Sequence, residues 1–96
     1  MSIYEKILKA REQLWKMSGM SFVQRQELVG MLSQIMILAF ENNEKIPKSF
    51  FLTTPNKMNM EVVRKFLEEN LELQIQEMKW VYMGKYACSY FKVKLI

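Results

Sequence analysis

Hydrophobic positions along the chain follow two different spacings, and the change from one to the other divides it. Near the start, Ile3, Tyr4, Ile7, Leu8, Leu14 and Trp15 recur close to a helical period, with Lys6, Lys9, Glu12 and Lys16 between them. That pattern predicts an amphipathic helix with a charged outer side. Ser2 followed by Glu5 is a capping-box signal, so the helix opens there and runs to about Met17, where Ser18-Gly19 closes it. Ser21 with Gln24 repeats the signal, and a second helix is expected to about Glu41. Val29, Leu32, Ile35, Met36, Ala39 and Phe40 form its stripe, while Met31, Ile37 and Leu38 spill onto neighbouring positions. A helix apolar over so much of its girth is covered on several sides. It is expected to be the central element, wrapped by the other helices or by a second subunit.

Asn42-Asn43 ends that helix, and Glu44 to Pro47 reads as loop. Ser49-Phe50-Phe51-Leu52-Thr53 reads as a short strand, being bulky and preceded by Pro47. A third helix is expected from Thr54-Pro55 or from Asn59, with Met60, Val63, Phe66, Leu67 and Leu71 inward. Its outer side carries Glu61, Arg64, Lys65, Glu68, Glu69 and Glu72.

From Leu73 onward the period alternates, which predicts a hairpin of Gln74–Tyr82 and Lys85–Ile96 turning at Met83-Gly84. An even-numbered loop collects Met78, Trp80, Tyr82, Ala87, Phe91, Val93 and Leu95 on one face. The other face then holds Glu77, Lys79, Val81, Tyr86, Cys88, Tyr90, Lys92 and Lys94. An odd loop would mix Glu77 and Lys79 with Phe91 and Val93, so the even parity is expected. The fold class is therefore α+β: three helices with a C-terminal antiparallel hairpin and a third short strand, in the order α-α-(β)-α-β-β. Ninety-six residues suffice for one core, and residues 1–96 are expected to form a single domain.

Composition then removes whole classes of chemistry. The chain has no His, and its ten acidic residues are all Glu. No imidazole is present as a general base, a nucleophile's partner or a metal ligand. Cys88 is the single cysteine, so neither an internal disulfide nor a four-ligand structural zinc site can form. Gly19, Gly30 and Gly84 lie too far apart for a phosphate loop. A non-enzymatic protein without cofactor or metal is the expectation. The start of the chain is charged at once, unlike a signal peptide. Leu28 to Phe40, the most apolar run, is shorter than the roughly twenty residues of a membrane span. With one cysteine, the expected setting is the cytoplasm, away from membranes.

Charge locates the candidate site. Residues 1–77 hold ten basic and ten acidic side chains, so the whole formal excess of +4 falls on Lys79, Lys85, Lys92 and Lys94. Three of these share a hairpin face with Tyr86 and Tyr90. Ammonium groups replace counterions along a phosphate backbone, and rings stack on unpaired bases. Lys79, Lys85, Tyr86, Tyr90, Lys92 and Lys94 are thus the candidate nucleic-acid-binding residues. The same pattern also serves a solvated strand that resists edge-to-edge pairing. Nine methionines add a second candidate surface, with Met17, Met20, Met58 and Met83 expected to be partly exposed in loops.

Three helices and a hairpin resemble winged-helix DNA-binding domains. A helix-turn-helix wants a connection of three or four residues, however, and about a dozen separate the second and third helices here. The outer side of the third helix is also net acidic. The opening Ser2 to Arg11 is similar to the start of some phage single-strand annealing proteins, but the rest of that family's pattern is absent and no membership follows. The expected function is a small accessory or regulatory protein, of the kind phages and mobile elements encode. It would associate with nucleic acid or a nucleoprotein machine through the Lys/Tyr face. The alternative is an inhibitor or adaptor that meets a protein partner through a Met/aromatic surface and dimerises through the second helix.

Overall fold

A computed structural model describes residues 1–55, 58–81 and 89–96. Its elements are α1 (Ile3–Lys16), α2 (Phe22–Glu41), β1 (Ser49–Thr54), α3 (Met60–Leu71), β2 (Ile75–Val81) and β3 (Ser89–Leu95). The three strands form one antiparallel sheet in the order β1-β3-β2. This is the α+β architecture and the element order that the periodicities predict. β1 intervenes between α2 and α3, so the two helices have no tight helix-turn-helix connection. Among the described residues no helix is long and apolar enough to cross a membrane.

Local chemistry explains where the helices begin. Ser2 Oγ accepts the Glu5 N–H at 3.2 Å, and Ser21 and Gln24 make a reciprocal capping box at 3.1 Å each way. Asn59 caps α3 through Glu61 N–H at 2.8 Å. α2 ends as the asparagine pair foretells: Asn43 is left-handed (φ 55°), and the Glu44 N–H turns back to Ala39 C=O at 2.8 Å. Arg25 fastens the first two helices together. Its Nε donates to Leu14 C=O at 3.0 Å and its second amine to Met17 C=O, so α2 covers carbonyls that the end of α1 leaves open.

The helices lie against one face of the sheet. Leu14, Leu28, Met31, Ile35, Leu52, Leu67, Phe91 and Val93 are fully buried between them. Two helix faces differ from the sequence reading. In α1 the inward residues are Ile7, Ala10 and Leu14, while Leu8 and Trp15 are exposed. In α2, Glu27, Leu28, Met31, Leu32, Ile35 and Ala39 face the core, and Phe40 is 77% exposed rather than inward. α2 packs against both α1 and β1, with Val29, Met36 and Leu38 half-buried beside the core residues, and only one strip of it stays exposed. Met58 is buried against the core rather than exposed in a loop, whereas Met17 is exposed and Met20 half-buried.

The hairpin keeps the expected parity but not the expected pairing. A two-residue loop at Met83-Gly84 would set Lys79 opposite Cys88, and the structure sets Lys79 opposite Lys92. The difference is four residues, an even number, so the described side chains from Glu77 to Val81 and from Tyr90 to Leu95 stay on their expected faces. Met83 and Gly84 themselves lie outside the described residues. A register shift between Ile75 and Glu77 makes Gln76 an extra residue in β2. It lets Ile75 be buried although it is two positions before exposed Glu77.

Both outer edges of the sheet are met by side chains. On β1, Gln34 of α2 accepts the Thr53 N–H and donates to the Thr53 C=O, both at 2.8 Å. On β2, Arg64 donates to Ile75 C=O at 2.9 Å, and Glu68 accepts the Ile75 N–H at 3.3 Å. Arg64 and Glu68 also pair with each other at 3.3 Å. Each edge thus has one residue whose outward peptide groups are occupied from a helix, which blunts pairing with other chains.

Candidate nucleic-acid interface

The face of the sheet turned away from the helices is built from three rows of cross-strand neighbours. Register places Ser49, Lys94 and Glu77 in one row, Phe51, Lys92 and Lys79 in the next, and Thr53, Tyr90 and Val81 in the third. None of the nine is fully buried. The opposite face carries Phe50, Leu52, Phe91 and Val93 into the core.

Of the predicted site residues, Lys79, Tyr90, Lys92 and Lys94 are brought together here. Lys85 and Tyr86 lie outside the described residues, as does Cys88. Lys79, Lys92, Lys94 and Glu77 line a shallow depression of about 220 Å³. Glu77 holds Lys79 at 3.3 Å, an exposed pair that contributes little. Three ammonium groups against one carboxylate leave the depression net positive. Lys79 and Lys92 stand directly opposite each other on adjacent strands. Like charges so placed destabilise a sheet, so the arrangement is costly to the fold by itself.

Phe51 is the residue that reading the sequence missed. It is 53% exposed and meets Tyr90 edge-on, with ring centroids 5.7 Å apart and planes at 84°. Thr53 turns its N–H and C=O outward to Gln34, so Thr53 and Tyr90 form a non-hydrogen-bonded pair. By alternation Phe51 and Lys92 form another, the kind in which facing side chains approach most closely. The signal was present as the alternation of Phe50 inward and Phe51 outward. What the alternation lacks is the long-range pairing of β1 with β3, which sets Phe51 beside the lysines.

The arrangement offers cations for phosphates and two ring faces for planar groups, on a surface with no covering element among the described residues. No protein-family model, characterised protein or solved structure matches the chain.

Proposed function

We propose that the chain is a non-enzymatic binding protein that holds single-stranded nucleic acid on the uncovered face of its sheet. Lys79, Lys92 and Lys94 contact the phosphates, and Phe51 and Tyr90 offer stacking planes to unpaired bases. One observation carries this reading: the opposed Lys79–Lys92 pair lies beside the Phe51–Tyr90 ring pair on a face that no helix among the described residues covers. A sheet selected for stability alone would separate the two lysines, since an opposite charge at either position would pair across the strands. A polyanion supplies the missing countercharge.

The test is fluorescence anisotropy of labelled single- and double-stranded oligonucleotides at several salt concentrations. Three phosphate contacts to a single strand give a log–log salt slope of about −2. Absence of binding to either form at low salt overturns the reading.

A further inference from the structure

α2 presents an outer face that nothing among the described residues covers. At 100° per residue, Phe22, Gln26, Gly30, Ser33, Ile37 and Phe40 fall within one stripe along its length. All six are exposed, and the stripe contains no charged residue. A solvent-facing helix of this length normally carries Lys and Glu there. The chain's own charges on α2 are placed elsewhere: Arg25 caps α1, Glu27 is buried with Thr54 as its hydrogen-bonding partner, and Glu41 closes the helix.

The order of sizes along the stripe is nearly symmetric about the middle of the helix. Large residues stand at the ends (Phe22, Phe40), intermediate ones inside them (Gln26, Ile37), and small ones at the centre (Gly30, Ser33). Gly30 is the informative position. Glycine is a poor helix former, its backbone is not left-handed, and a Cβ built on it meets nothing within 4 Å. No contact inside the described chain requires a glycine there.

We infer that this face is the interface of a two-fold homodimer, in which α2 of one copy crosses α2 of the other antiparallel at Gly30 and Ser33. Crossing helices are closest at the centre and diverge at the ends, so they need small residues in the middle and bulky ones outside. The two-fold brings Phe22 of one copy to Phe40 of the other, and the size order matches itself. Self-complementarity is what an isologous interface demands, and an uncharged face brings no like charges together. The area also fits a second copy. Phe22, Phe40, Ile37, Val23 and Trp15, all at least half exposed, offer on the order of 600 Å² of apolar surface, against about 800 Å² per partner in a standard interface. This inference is independent of the nucleic-acid reading, since it concerns a different face.

Sedimentation equilibrium over about 1 to 500 µM, without nucleic acid, tests it. The wild type is expected to be dimeric in the upper part of that range. Gly30→Glu, whose side chain enters open space in the monomer, is expected to weaken the dimer at least tenfold with unchanged circular dichroism; Phe40→Lys is a second variant with the same expectation. A wild type that stays monomeric throughout overturns the inference and leaves the face to a different protein. A folded Gly30→Glu or Phe40→Lys that dimerises as well as the wild type overturns it equally.

Discussion

The side-chain amide of Gln34 pairs with the backbone of Thr53 as a neighbouring strand would, accepting its N–H and donating to its C=O at 2.8 Å each. The carboxamide also accepts from the Thr53 hydroxyl at 3.2 Å. A residue of α2 thereby completes the free edge of β1 at the point where Tyr90 stands across from Thr53. Gln34→Ala opens that edge. Since net hydrogen bonds contribute about 0.5–1.5 kcal/mol each and this edge is solvent-accessible, a loss of about 1–2 kcal/mol is expected. Amide hydrogen exchange by NMR should show Thr53 losing protection; an unchanged Thr53 amide would mean the edge is held by something else.

Lys92 faces opposite demands from fold and function. Replacing it by Glu sets a carboxylate across from Lys79 and beside Lys94, turning a repulsive row into an attractive one. Lys92→Glu is therefore expected to raise the melting temperature, the gain being a few tenths of a kcal/mol because the pair is exposed. The same change should lower oligonucleotide affinity by tenfold or more. A variant that loses stability and keeps its affinity would contradict both halves.

Phe51 and Tyr90 separate stacking from charge. Base–aromatic stacking is worth about 1–3 kcal/mol per base on alanine substitution. Phe51→Ala and Tyr90→Ala should each weaken single-strand binding by about that amount while leaving the salt slope unchanged, because no phosphate contact is lost. Duplex binding, where bases are already stacked, should respond much less. Equal losses on single strands and duplexes would show that the rings only support the sheet.

Tyr4 offers a test of the core. Its hydroxyl is buried and has no hydrogen-bond partner among the described residues. Removing an unsatisfied buried group relieves a desolvation penalty of about 1–3 kcal/mol. Tyr4→Phe should unfold at an equal or higher urea concentration than the wild type with the same slope. A clearly lower midpoint would reveal a partner for that oxygen.

Much of this fold was legible from local signals because local chemistry decides it. Ser21 and Gln24 mark the start of α2 through their own side chains, and hairpin parity follows from which residues tolerate water. Partner choice along the hairpin was less legible: pairing Lys79 with Cys88 or with Lys92 leaves every residue on the same face, so hydrophobic pattern is silent between them. The outward turn of Trp15 and Phe40 was hidden for another reason. α2 is apolar around most of its girth and so does not declare which side meets the core; in α1 the buried line runs through a small residue, Ala10, and leaves Leu8 and Trp15 outside it. In the candidate interface, Lys79, Tyr90, Lys92 and Lys94 were visible as an alternating run. Phe51 was not, because its place depends on β1 joining β3 across some forty residues of chain.

The uneven placement of charge acts before any contact forms. Lys79, Lys92 and Lys94 sit on one face, while the first 77 residues balance ten positive against ten negative side chains. Such a molecule has a dipole moment as well as a small net charge, and near a polyanion it feels a torque that turns the lysine face forward. The field reaches about 8 Å at physiological ionic strength, so this alignment happens in the last steps of approach. Added salt shortens that range, and more collisions then occur with the wrong side leading. Ionic strength should therefore slow association itself, beyond its effect on how long the partners stay together.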